Sequence, residues 1–155
     1  MIDRRENAIV EIENRILRDR QILNFKNFHR NFNDPSIFNS ENMPGIYILE
    51  GDDIVKKHAE RDVFGYPMWR LLELEIEIIV KIERDKGKSI KDFTKMVKKS
   101  IFCEKENEIY IAKNLETDNT FIREIKTIGP NIYNVPDLIG MKIIIGLNYM
   151  EQSLF

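Results

Sequence analysis

The chain has one cysteine, Cys103, in 155 residues. A disulfide framework within the chain is therefore excluded, and a reducing compartment is the natural reading. Histidine is almost as scarce, with His29 and His58 alone. Neither lies at ligand spacing from the other or from Cys103, so no zinc site is expected. The same scarcity leaves little for a nucleophilic triad, and Cys103 reads as a small apolar filler. There are 7 glycines, and no G-x-G-x-x-G, Walker lysine or G-x-S-x-G elbow is formed from them. No window approaches the ~18 uncharged apolar residues of a membrane span. The opening MIDRRENAIVEIENR has no apolar signal core. Neither charge sign is in clear excess: Lys and Arg total 24 against 26 Asp and Glu. A net charge of -2 argues against a dedicated nucleic-acid binder.

What is present is enough apolar sequence, 43%, for a real core, with 32% charged residues to solvate it. One globular domain over residues 1–155 is expected. Its organising stretch is MWRLLELEIEIIVKI, Met68 to Ile82. Arg70, Leu72, Leu74, Ile76, Ile78, Val80 and Ile82 occupy one register and are almost all apolar. Trp69, Leu71, Glu73, Glu75, Glu77, Ile79 and Lys81 occupy the other, with charge at its middle. A period of two is that of a pleated strand, since successive side chains point to opposite faces. The pattern predicts a strand with one core face and one wet face in an antiparallel sheet. An isolated edge of that length invites aggregation, so a pairing partner in the chain or in a neighbouring copy is expected.

Upstream, Ile2 to Leu23 reads as one amphipathic helix. Its buried stripe is Ile2, Ile9, Ile12, Ile16 and Leu23, with Val10 and Leu17 alongside. Asp3 and Glu6 form a candidate capping box. Arg4, Arg5, Glu11, Arg15, Arg18 and Asp19 read as a mixed solvated face. FKNFHRNF, Phe25 to Phe32, is a short strand or a loop. Its aromatics and bases suit either a core plug with snorkelling bases, the weightier reading, or stacking on single-stranded nucleic acid. Asn33 to Met43 reads as loop, and PGIYILE, Pro44 to Glu50, as a strand broken by Gly51-Asp52-Asp53. The long connection from Gly51 to Pro67 is either functional, an arm that reaches a neighbour, or an ordinary surface excursion.

Downstream, Ser89 is a candidate N-cap for a helix ending near Phe102, with Ile90, Phe93, Val97 and Ile101 buried. Lys91, Lys95, Lys98 and Lys99 form its solvated side. Glu108 to Ala112 reads as a short strand and Phe121 to Ile128 as a better one. The latter is expected to place Ile122 and Ile128 on one face, and Phe121 and Ile125 on the other. Gly129 to Asp137 reads as loop. Gly140 to Glu151 is the last strand, with Gly146 a candidate bulge. There is no βαβ rhythm and no internal repeat. The fold class expected is α+β: an antiparallel sheet of four to six strands with two helices on one face.

Carboxylates are the remaining chemical resource. Glu73, Glu75 and Glu77 could face a cation or, more simply, Lys and Arg on a neighbouring strand or subunit. Glu124-Ile125-Lys126 has the E-x-K form of PD-(D/E)-x-K nucleases, with Asp52 or Asp53 as the missing acid. The lone Pro-Asp pair, Pro136-Asp137, follows that motif instead of preceding it. No catalytic constellation survives. The chain reads as a structural or interaction protein, with no enzyme activity, metal or cofactor expected.

The order as a whole is similar to the tail terminator, or tail completion, proteins of long-tailed bacteriophages and phage-like particles. It runs from an amphipathic helix to "PGIYIL", an acidic break, a charged connection, "RLLELEIEIIVKI", the capped helix "SIKDFTKMVKKSIF" and a closing "GMKIIIGLNYME". The resemblance covers roughly Ile2 to Glu151 and is one of order, not of a diagnostic motif. It implies a homohexameric ring in the neck of a virion. Such a ring caps the tail tube, ends its polymerisation and joins the tail to the head connector, with DNA passing through its lumen. The implied partners are further copies of the chain, the tube protein, the connector or stopper and possibly a sheath. The resemblance places Asp52, Asp53, Lys56, Lys57, Arg61, Phe64 and Tyr66 at subunit or partner interfaces. Glu73, Glu75 and Glu77 are added from the strand reading. FKNFHRNF and Ile109 to Asn134 depart from the pattern and leave room for an adjacent neck protein.

Overall fold

The computed structural model describes residues 3–31, 43–55, 68–81, 88–106, 109–112, 114–115, 120–132 and 137–151. Helix α1 runs Arg4–Arg18, started by Asp3, whose Oδ1 accepts from the Glu6 N–H at 2.9 Å. Half of the expected capping box is formed, because the Glu6 carboxylate turns to Arg30. The predicted single helix is in fact two pieces. The Asp19 N–H bonds the Ile16 carbonyl at 3.2 Å, closing α1. A short α2, Arg20–Leu23, then ends on Asn24, whose left-handed φ of 51° is the usual device of a helix C-terminus. This break turns Leu23 and Phe25 into the core. Arg20 lies over the Phe25 ring at 5.4 Å.

The main sheet has the order β1-β2-β3-β7-β6. Its strands are β1 Asn27–Arg30, β2 Gly45–Val55, β3 Met68–Lys81, β6 Thr120–Ile132 and β7 Leu138–Glu151. All neighbours are antiparallel except β1 and β2. Helix α3, Lys88–Phe102, follows β3, and a hairpin of β4, Cys103–Glu106, and β5, Ile109–Ala112, forms a separate pair. The fold class is α+β. Helix α3 begins one residue before Ser89, which is therefore inside it. Helices α1 and α3 lie against each other and against β7, and α3 also lies against β3.

Strand β3 is the sheet's centre, not an edge in need of a neighbour. It pairs with β7 without interruption from Met68–Glu151 to Lys81–Leu138, and with β2 on its other side. Its apolar register faces the helices. Leu72, Leu74, Ile76 and Ile78 join Ile46, Ile48, Ile143, Ile145 and Leu147. Ile9, Ile12 and Ile16 of α1 and Ile90, Val97 and Ile101 of α3 close over them. Val10 and Leu17 stay exposed. Truncating one central side chain such as Ile76 to Ala costs about 2–5 kcal/mol.

The other sheet face is not uniformly wet. Glu73 is exposed and Glu75 half-buried beside Lys142 at 3.9 Å, but Glu77 is only 7% exposed. Glu77 sits in register between Tyr47 and Lys142. Next to it a second small core forms from Met43, Tyr47, Ile79 and Leu138.

Two bulges reset the alternation. In β2, Gly51 and Asp52 do not break the strand; an extra residue enters between Glu50 and Asp53, and pairing continues to Val55. Gly51 is needed there, because a Cβ would sit 2.8 Å from the Glu73 carbonyl oxygen. In β6, the extra residue lies between Ile122 and Glu124, opposite Leu147 and Gly146. The irregularity anticipated at Gly146 is thus in the partner strand. It overturns the expected faces: Ile125, paired with Ile145, shares the helix side with Ile122, while Ile128, paired with Lys142, shares the open side with Phe121. A second irregularity at Gly129 and Pro130, with Gly129 at φ +120°, carries β6 on to Ile132 where a loop was expected.

Candidate assembly surfaces

The arginines read as solvated are the adhesive of the N-terminal helix. Arg15 is 4% exposed. Its Nη1 donates to the Ile101 carbonyl at 2.7 Å, its Nη2 to the Asn114 carbonyl at 2.5 Å and its Nε to Glu11 Oε1 at 3.1 Å. Arg18 Nη2 donates to the Ser100 carbonyl at 3.2 Å. The last carbonyls of α3 have no helical donors, and a cation at that end also meets the negative pole of the helix. Arg4, also buried, donates from Nη1 to the Met150 carbonyl at 2.9 Å.

A second cluster clasps α1 to the β1–β2 side of the sheet. The β2 bulge puts both Glu50 and Asp53 on the helix side, as their pairing with Leu74 and Leu72 requires. Arg5 reaches Glu50 at 2.6 Å and Asp53 at 3.1 Å. Arg30 grips Glu6 through both terminal nitrogens at 2.6 and 2.7 Å, with Glu50 at 3.3 Å and Glu13 at 3.5 Å. Arg70 Nε donates to Asp53 at 3.0 Å, and the Tyr149 hydroxyl donates to the other Asp53 oxygen at 2.6 Å. The Asn31 amide donates to Glu50, and its carbonyl accepts the Glu50 N–H at 3.3 Å. The Arg30 hydrogen bond, against the opposing effect of burial, holds the Glu6 carboxyl below the usual range. Burial pushes Glu50 up, but Asn31, Arg30 and Arg5 together hold it below that range. Burial wins at Glu13 and raises it. Such a network specifies one seating of α1 on the sheet.

The residues proposed from sequence for interfaces fall into three groups. Asp53 is committed inside the chain to Arg5, Arg70 and Tyr149, whereas Asp52 is exposed at the bulge. Glu73, Glu75 and Glu77 line the open face in decreasing exposure. Lys56, Lys57, Arg61, Phe64 and Tyr66 lie outside the described residues. In the aromatic-basic segment Phe25 is buried, Phe28, His29 and Arg30 are half-buried, Lys26 is exposed, and Phe32 lies outside the described residues. Phe25 and Phe28 lie 5.8 Å apart at the core, Arg30 is in the clasp, and His29 stacks on Tyr47 at 5.9 Å.

The nuclease residues are not brought together. Asp52 and Asp53 are on β2 and Glu124 and Lys126 on β6, with β3 and β7 between. Three strand spacings make that about 14 Å. Asp53 is moreover on the helix side, while Glu124 and Lys126 pair with Gly146 and Ile144 of the open-face register. Among the described residues no group of three or more His, Cys, Asp or Glu could hold a metal ion. No described helix is long and apolar enough to cross a membrane.

Among the described strands the main sheet ends at β1 on one side and at β6 on the other, and the β6 edge is the longer. Ile125 is 48% exposed and Phe121 40%, and Arg123 and Lys126 are exposed beside them. Reasoning from sequence found this strand but not its place at the edge. Pro130 was the available signal, because a strand holding proline belongs at an edge or a bulge.

No family model matches the chain, and no curated protein matches it in sequence. Among solved structures, it is similar to a chain of the virion of a native gene transfer agent particle. That likeness covers 92% of this chain and 93% of the other, with a TM-score of 0.49 and 9% identity.

Proposed function

We propose that the chain is a structural subunit of a phage-like particle. Within it, the chain forms a ring of six copies that caps the head-proximal end of the tail tube, ends tube growth and meets the head connector. It acts without catalysis and without a cofactor, and DNA passes through the ring without sequence-specific contact. Assembly takes place in the host cytoplasm and the finished site is the virion neck. The observation that carries the reading is an internally clasped sheet with two unlike edges, β1 and β6, that no described strand covers. A subunit that must repeat around a ring needs two different surfaces that fit each other head to tail. The succession of α1, β2, β3, α3 and closing strand β7 is what supports the terminator assignment, with β1 and the stretch from β4 to β6 as additions to it.

The test is the mass of the purified chain by light scattering across concentration, with negative-stain images of the same sample, alone and mixed with tail tubes. Closed rings, or rings seated on tube ends with tube growth stopped, are the expected result. A chain that neither associates nor binds tubes refutes the proposal.

A further inference from the structure

We infer that the β6 edge is where one copy receives the next, through the β1–β2 edge of its sheet, so that a single sheet runs from subunit to subunit. The inference rests on the ring reading and names its contact. Strand directions come first. β1 and β2 run together, β3 runs opposite, β7 returns and β6 runs opposite again. Copies placed side by side in the same orientation therefore bring β6 against the neighbour's β1 in antiparallel sense, the better-bonded arrangement. No inversion of a copy is needed, so the contact repeats and a ring can close.

The bulges choose the segment. The longest regular run of β6 lies between its irregularities, from Glu124 to Ile128. Ile125, within that segment, is exposed beyond the helix layer. An edge that was only guarded against aggregation would not hold a half-exposed isoleucine.

Charge chooses the occupant. The regular segment is centred on Lys126, so a two-fold β6–β6 contact sets Lys126 opposite Lys126, which is unfavourable. The opposite edge offers an exposed carboxylate instead. There Glu6, Glu13, Glu50 and Asp53 are matched by Arg5, Arg30 and Arg70, and Asp52 stands exposed beside them at the β2 bulge. In the head-to-tail arrangement exposed Lys126 comes to the edge that carries Asp52 instead of to a second Lys126.

Amide hydrogen exchange on the full chain, followed from dilute to concentrated solution, reads the contact directly. The expected result is that protection appears on association at Glu124–Ile128 and at Asn27–Arg30 together. Ile125→Glu, at an exposed site, should leave the monomer folded and weaken association by tenfold or more, on the order expected of a buried charge. Lys126→Asp and Asp52→Lys should each raise the association midpoint about three- to tenfold, and the double variant should recover most of that loss. Rings whose Glu124–Ile128 amides still exchange freely overturn this inference and leave the ring reading standing. A dimer protected at β6 but not at β1 overturns it in favour of a two-fold contact. Absence of association up to ~1 mM, with or without tail tubes, overturns both.

Discussion

Replacing Arg15 by alanine separates the structure from the pattern of the sequence most sharply. On a solvated helix face the change would stay within about 0.5 kcal/mol. In the structure Arg15 is the buried link between α1 and the end of α3. Its removal strands the Ile101 carbonyl, leaves the Asn114 carbonyl without its donor and frees Glu11. Each hydrogen bond to a charged group is worth about 1.5–3 kcal/mol, and removing one side of a buried charged contact costs about 3–5 kcal/mol. Because Glu11 is partly exposed and rehydrates, we expect a loss of ~3–4 kcal/mol, a large share of a typical domain's 5–15 kcal/mol. For a chain of this length that is a fall in Tm of roughly 6–16 °C. Urea unfolding followed by circular dichroism measures it. Arg15→Lys should recover only part, since one ammonium cannot span two carbonyls and a carboxylate with the fork geometry of a guanidinium. Arg18→Ala, at a side chain 44% exposed, should cost no more than about 1 kcal/mol. An Arg15→Ala variant as stable as Arg18→Ala would refute the reasoning.

Three other outcomes follow from the clasp and the bulge. Tyr149→Phe removes the hydroxyl that donates to Asp53 and should destabilise by about 1–2 kcal/mol, read as a lower urea midpoint at unchanged m-value. Gly51→Ala forces a Cβ against the Glu73 carbonyl and should cost about 1–3 kcal/mol, with the loss of protection concentrated in amides of β2 and β3 beside the bulge. Acid should loosen the clasp. Glu6 and Glu50 have folded values below their unfolded ones, so their contribution is complete above the ordinary glutamate value of ~4.3 and is lost as pH falls through their depressed values. Glu13, raised by burial, has the opposite sign and offsets part of this. A urea midpoint that did not fall between pH 5 and pH 3, or that fell equally in Arg30→Ala, would contradict that account.

Strictly local chemistry was legible in the residues alone. The alternation through Leu72, Leu74, Ile76 and Ile78 marks a strand wherever the chain is placed, because the pleat repeats every two residues. The stripes Ile9-Ile12-Ile16 and Ile90-Val97-Ile101 mark helices for the matching reason, and Asp3 caps its helix through a contact three residues away. From these came the α+β class and the helices on one sheet face. Tertiary structure decided which strands became neighbours, which put β3 at the centre and β6 at the rim. It also decided the faces. One inserted residue in β2 carries Asp53 to the helix side, and one in β6 carries Ile125 there too. A parity count along the sequence cannot register an insertion that is defined only by the partner strand. The arginines show the same division. Arg4, Arg5, Arg15 and Arg18 have the spacing of a wet helix face, but their partners are Met150, Asp53, Ile101 and Ser100, brought to them from far along the chain. A long side chain whose charge can be satisfied by distant carbonyls and carboxylates is placed by the fold, not by its period.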